Sequence, residues 1–183
     1  MKIILISGKA QHGKTSTAII LEKHMTSAGK RAVRISFADY VKYICSKYYG
    51  WDGRKDENGR HLLQYIGTDV FRARDENFWV DNVIRFARVV SRDYDFMLID
   101  DWRFINEYTR WLENGITDLC RVRVYRPGYD NGLTAEQNNH PSETGLDEFA
   151  MDYKLYAVDL AGLELECGKI LASMDLTPMC SNP

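Results

Sequence analysis

The sequence has no apolar stretch approaching the roughly 20 residues that a bilayer-spanning helix requires. Its N-terminal apolar run, Ile3-Ile4-Leu5-Ile6, is too short for the core of a secretory signal, and no small-residue cleavage site follows it. Proline is scarce, at 4 of 183 residues, and there is neither a low-complexity segment nor an internal repeat. Cys45, Cys120, Cys167 and Cys180 are scattered, with no CxxC and no histidine at zinc-finger spacing. Free, reduced thiols in a cytoplasmic protein are the expectation. The net charge is only -2, so nothing global favours nucleic acid or a membrane surface as a partner. A small anionic substrate needs no more than a local basic cleft. A chain of 183 residues suffices for one domain with a substantial core and is short for two.

What the sequence does contain begins at the apolar run. Ile3 to Ile6 suits a strand buried on both faces of a parallel sheet. Ala18, Leu21, Met25 and Ala28 then recur at helical spacing before Gly29, and Ala32 to Phe37 reads as a second strand. This βαβ order predicts a parallel α/β sheet. Helices are predicted over Asp39 to Tyr49, Arg60 to about Asp75, and along the stripe Trp79, Val83, Phe86 and Val90. That stripe reads as core and not as a platform for stacking a base. Phe96 to Ile99 is a third strand, Phe104 to Glu113 a helix closed by Asn114-Gly115, and Leu119 to Tyr125 a fourth strand. In the fourth strand Val122 and Val124 alternate with Arg121 and Arg123, which predicts one less-buried face. Pro127 to about Glu148 is polar and long for a connection, as functional lids and disordered segments are. Tyr153 to Val158 is a fifth strand and Leu163 to Met174 a closing helix.

The first strand runs into Gly8-Lys9-Ala10-Gln11-His12-Gly13-Lys14-Thr15, a GxxxxGK[ST] loop between a buried strand and a helix. Gly8 and Gly13 allow the backbone to curl so that successive N–H groups face a phosphate. The following helix adds unpaired N–H groups and the positive end of its dipole. Candidate triphosphate contacts are therefore Gly8, Ala10, Gln11, His12, Gly13, Lys14, Thr15 and Ser16. Lys14 would lie by the β- and γ-phosphates and the Thr15 hydroxyl would ligate Mg2+. For His12 the backbone is expected to matter more than the imidazole.

Such a loop establishes a nucleotide and leaves the reaction open. Asp101 ends a buried strand, where a carboxylate could hold Mg2+ through water, and Arg103 two residues on could fork onto an acceptor phosphate. Each also reads as an ordinary ion pair or helix cap. Arg72 and Arg74 sit at a helix C-terminus, where the dipole alone favours cations. Arg126, where the fourth strand meets the long loop, could reach the transferring group or be solvated.

Several separate segments together resemble the bacteriophage deoxynucleoside monophosphate kinases, within the adenylate-kinase-like P-loop kinases. Ser36-Phe37-Ala38-Asp39 with Lys42 is similar to the family's FAD-x-x-K segment at the acceptor site. Leu62-Leu63-Gln64-Tyr65-Ile66-Gly67-Thr68-Asp69, then Arg72 and Phe78-Trp79-Val80, resembles its LLQ-x-x-GTD…R…FWV stretch. Asp101-Trp102-Arg103-Phe104-Ile105-Asn106-Glu107 resembles D-x-R-F-x-x-E. Tyr125-Arg126-Pro127-Gly128 resembles the strand-to-lid junction, and His140-Pro141-Ser142-Glu143 the polar motif of the lid. The likeness runs in order from Ile3 to about Asp152. It departs after the last strand, where Ala157-Val158-Asp159-Leu160-Ala161-Gly162 stands in place of an Asn-Asp-Gly-like turn near the donor base.

The resemblance implies ATP- and Mg2+-dependent phosphorylation of a (deoxy)nucleoside monophosphate to the diphosphate. It implies a single three-layer α/β/α P-loop kinase domain over 1–183, with a five-stranded parallel sheet in order 2-3-1-4-5. The acceptor-binding helical region would span about 38–92 and the lid about 127–148. Lys14, Arg72, Arg103 and Arg126 become the catalytic set. Asp39, Lys42, Gly67, Asp69, Arg72, Arg103, His140 and Glu143 become the acceptor contacts, and Thr15 and Asp101 the metal ligands. It places the protein in a host cytoplasm if phage-encoded, without nucleic-acid or membrane partners, and admits a homodimer. The rival readings are a kinase of another phosphorylated metabolite, like those acting on dephospho-coenzyme A or phosphomevalonate, and a nucleotide-binding regulatory NTPase.

Overall fold

Five parallel strands form one sheet in the order β2-β3-β1-β4-β5; the alternation of apolar runs and helical segments predicted the parallel sheet, and the resemblance its order. The computed structural model describes residues 1–54, 56–174 and 176. β1 (Lys2–Ser7) is central, pairing with β3 (Phe96–Ile99) on one side and β4 (Leu119–Tyr125) on the other. β2 (Ala32–Ile35) and β5 (Tyr153–Tyr156) are the edges. Ile3, Ile4, Leu5 and Ile6 are all buried because a central parallel strand has a covered layer on each face.

Alternate side chains of the sheet feed two separate cores. Ile3, Leu5, Met97 and Ile99 pack against α2 (Ala38–Tyr49), α4 (Phe78–Val90) and α5 (Asn106–Glu113). Ile4, Ile6, Leu98, Val122 and Val124 pack against α1 (Lys14–Ser27) and α8 (Leu160–Ser173). Of the predicted stripe, Trp79 and Val83 are buried while Phe86 and Val90 are half-buried against the same core. Among the described residues, no helix is long and apolar enough to cross a membrane. Cys45, Cys120 and Cys167 are buried and unpaired, and burial pushes the thiols of Cys120 and Cys167 up to about 12. Cys180 lies outside the described residues.

Four departures from the sequence reading bear on the cleft. The helix predicted over Arg60 to Asp75 is an α-helix, α3 (Glu57–Gln64), that continues as a π-helix from Tyr65 to Arg72. Widening there leaves the Gly67 carbonyl to accept a 2.8 Å hydrogen bond from Trp79 Nε1, while Ala73 N–H reaches back to the Thr68 carbonyl at 2.9 Å. β2 stops at Ile35, short of Phe37, because the next N–H groups are captured by carboxylates of the cleft. Arg123 is not on an open face: it is 3% exposed, paired with Asp147 and donating to Ser7 Oγ at 3.3 Å. Its alternation with valines is that of a strand covered on both sides, with an ion pair compensating the charge. The long polar connection is folded, carrying α6 (Ala135–Asn138) with a Thr134/Gln137 capping box, and α7 (Pro141–Thr144).

Candidate functional site

The C-terminal ends of β1, β2 and β3 open on one cavity, while the end of β4 delivers Arg126 to a second, smaller one. The glycine loop leaves β1 at Gly8, where φ is 153° and an added Cβ would lie 2.7 Å from the Val124 carbonyl oxygen. Only glycine fits that approach. Gly13 caps α1 in the left-handed region at φ 97°, and Gln11 also takes positive φ, at 61°. Lys14 folds back over the loop, donating to the carbonyls of Gly8 at 2.8 Å and Lys9 at 2.9 Å. Burial, reinforced by the nearby Arg103 cation, lowers its pKa to about 8.

Lys14, Thr15, Asp39, Lys42 and Arg103 line one cavity of about 690 Å³, together with Asp100 and Asp101 from the end of β3. Ala10 and Gln11 form its rim on the glycine-loop side. Asp39 accepts from Ser36 N–H at 2.8 Å and pairs with Lys42 at 2.8 Å.

Asp101 has both carboxylate oxygens engaged at the start of α2, by Phe37 N–H at 2.9 Å and Ala38 N–H at 3.0 Å. Burial and then the neighbouring Glu107 push its pKa up to about 7, against the pull of those donors. Asp100, which sequence reasoning passed over, accepts from Ser36 Oγ at 2.5 Å and also faces the cavity. Its only signal was adjacency to Asp101 at a strand end.

Glu107 is a second residue missed as functional, although the D-x-R-F-x-x-E pattern contains it. Its carboxylate is 2% exposed, pairs with Arg72 at 2.5 Å, and accepts from Arg103 N–H at 2.8 Å and Phe104 N–H at 3.1 Å. The spacing of the pattern is thereby explained: a glutamate in the first turn of α5 folds back on the N–H groups three and four residues earlier. Arg72 also lies over the Phe104 ring, 4.6 Å from its centroid.

The connection that leaves β4 at Arg126 and runs through 127–148 lies against the glycine loop through Glu143, Tyr129, Asn131 and Arg126 itself. Glu143 accepts from Ala10 N–H at 2.7 Å. Gln11 donates to the Asn131 carbonyl at 3.1 Å and accepts from Tyr129 Oη at 2.8 Å. Arg126 N–H donates to His12 Nδ1 at 3.2 Å, so the imidazole, and not the backbone alone, holds this junction. Burial and the cations Lys14 and Lys9 depress the His12 pKa, which favours the neutral ring that this bond needs. The Arg126 guanidinium lies over the Tyr129 ring at 3.8 Å and donates to the Val158 carbonyl. With His12, Gly13 and Ser16 it borders a smaller cavity of about 200 Å³, closed by Asp159 and Leu160 at the start of α8.

Not every predicted contact converges. His140 is exposed, its Nδ1 capping α7 through Ser142 N–H at 3.2 Å. Gly67 is buried under Trp79, and Asp69 is exposed on the π-helix, away from both cavities. Arg72 is held behind Arg103 by Glu107 and does not line the large cavity. No family model matches this chain, and neither does any curated protein.

Proposed function

We propose that the chain transfers a phosphoryl group from ATP to a (deoxy)nucleoside monophosphate, as a P-loop kinase. The observation that carries this reading is one cavity lined by Lys14, the glycine loop and Arg103 together. The loop and Lys14 suit a triphosphate chain, and Arg103 offers a guanidinium to another anion. A hydrolytic switch needs a positioned water there and not a pocket for a second anion.

Lys14 would leave the Gly8 and Lys9 carbonyls and turn to the phosphate oxygens, its charge neutralising what develops during transfer. The Thr15 hydroxyl and the Asp100 carboxylate border the same space and are the oxygen donors that fit Mg2+, which when bound shields the phosphate charges. Asp101 has its oxygens on backbone N–H groups and would act by fixing α2 beside the acceptor. Asp39 and Lys42 provide a polar wall for the acceptor's base or sugar. Arg72 supports Arg103 through Glu107, and Arg126 at the lid junction approaches from the donor side.

A coupled assay of ADP release against a panel of nucleoside monophosphates tests the reading. At least one monophosphate should raise ADP production well above the protein's own ATPase rate. If none does and dephospho-coenzyme A or phosphomevalonate does, the chemistry stands and the acceptor changes. If no acceptor does, the kinase reading fails. Arg103→Ala should raise the acceptor KM and lower kcat by tenfold or more with ATP affinity retained; equal loss of ATP affinity would move Arg103 to the donor side.

A further inference from the structure

Glu143 stands in α7, within the 127–148 connection, yet its carboxylate reaches Ala10 and Arg103 of the large cavity's lining and is 6% exposed. Oε2 accepts from the Ala10 N–H of the glycine loop at 2.7 Å. Oε1 is paired with Arg103 Nη1, which also donates to the Ser142 carbonyl of the same helix at 2.9 Å. Burial opposes its charge, but Arg103, the Ala10 N–H and Lys14 together hold its pKa below the ordinary glutamate value. A single carboxylate therefore spans a loop N–H and the guanidinium across the cleft, donors that an incoming phosphoryl oxygen would use.

Two anions cannot share those donors at close range in a half-desolvated site without strong repulsion. We propose that Glu143 is a built-in competitor for the phosphoryl site: it holds the lid shut on the empty protein and is displaced when a phosphate enters. This deepens the kinase reading and rests on it. The exchange is one of anions, with no bond made or broken. Arg103 Nη1 and Ala10 N–H pass from carboxylate to phosphate oxygens, and the α7 segment is released from the glycine loop. The remaining ties flank α7 and need not break: Gln11 to Tyr129 and Asn131 and His12 to Arg126 before it, and the Asp147–Arg123 pair and the buried Leu146 after it. Release is then local, confined to α7. At its C-terminal end that helix packs on the Arg103 backbone, since a Cβ added at Gly145 would lie 3.3 Å from the Arg103 carbonyl oxygen.

The sign of one substitution separates a competitor from a ligand contact. Glu143→Gln keeps the shape and an acceptor for Ala10 N–H but removes the charge. Calorimetry with inorganic pyrophosphate should give affinity at least tenfold tighter for Glu143→Gln than for the wild type. Unchanged or weaker affinity overturns the proposal, the weaker result making Glu143 part of the binding machinery. A second measurement needs no variant: hydrogen exchange of the wild-type amides over 142–145 should speed up on adding pyrophosphate. Slower exchange there overturns the proposal whatever the variant does. Should neither protein bind pyrophosphate or ATP, the nucleotide reading itself fails, and the proposal falls with it. Failure of the competitor idea alone leaves ATP binding intact.

Discussion

Lys14 shows how a single residue can be prepared for an anion before one arrives. Its ammonium is buried against two carbonyls and repelled by Arg103, so its pKa falls to about 8. Phosphate oxygens would restore the charged form and raise that value, so bound and free protein differ in proton content above pH 8. Below pH 8 the ammonium is already formed in the free protein and binding takes up little. Above it, binding of ATP should take up close to one proton, and affinity should fall by up to about tenfold per pH unit. Calorimetry at pH 9 in two buffers of different ionisation enthalpy measures the uptake; a value near zero would mean that Lys14 does not contact the phosphates. Glu107 and Asp100 illustrate the complementary case, carboxylates whose partners are fixed within the protein. Their neighbours Arg103 and Asp101 were conspicuous in sequence, while their own roles depended on which N–H groups lay within reach.

At the level of elements, the cleft is assembled by strand ends capturing helix starts. α2 begins where it does because Asp101, at the end of β3, accepts from Phe37 and Ala38 N–H, while Asp39 accepts from Ser36 N–H. This is a cap supplied from a distant strand in place of the usual local side chain. Asp101→Asn would set an amide NH2 against one of those donors. A stability loss of about 1–2 kcal/mol is expected from the damaged cap, read from the urea midpoint at constant m-value. Faster hydrogen exchange at 38–42 should accompany it. Loss of stability without faster exchange there would place the effect elsewhere than α2. The π-helix from Tyr65 to Arg72 is a comparable device, since its register joins Trp79 to Gly67 and ends with Arg72 on Glu107. Periodicity announced a helix over these residues but not the widened turn, because the four-residue step from Ile66 to Val70 suits an α-helical and a wider turn alike.

Across the whole molecule, two cores clamp one sheet, and one of them runs beneath the α2 side of the cleft through Phe37, Val41, Ile66, Trp79 and Trp102. Trp79 is 2% exposed, lies 5.0 Å from the Phe71 ring and 4.8 Å from the Phe78 ring, and bonds the Gly67 carbonyl. Trp79→Ala should cost about 3–5 kcal/mol, with unfolding by urea still a single transition. A cost under 1 kcal/mol, or a separate early transition, would show that α4 is not part of the cooperative unit. The sequence by itself determined that the sheet is parallel, because four-residue apolar runs separated by helices require crossover connections; its strand order was implied only by the family resemblance. It also determined the glycine loop, because Gly8 and Gly13 satisfy local backbone demands that no distant residue can relax. Only the tertiary structure decided which charges meet. It buried Arg123 against Asp147, put Glu107 behind Arg72 and Arg103, turned His140 away, and brought Glu143 across the lid to Ala10. Those pairings span 24 to 133 residues, except for local bonds such as those of Glu107 and His140. The position of a long charged side chain follows from desolvation and partners in space, which no periodicity along the chain encodes.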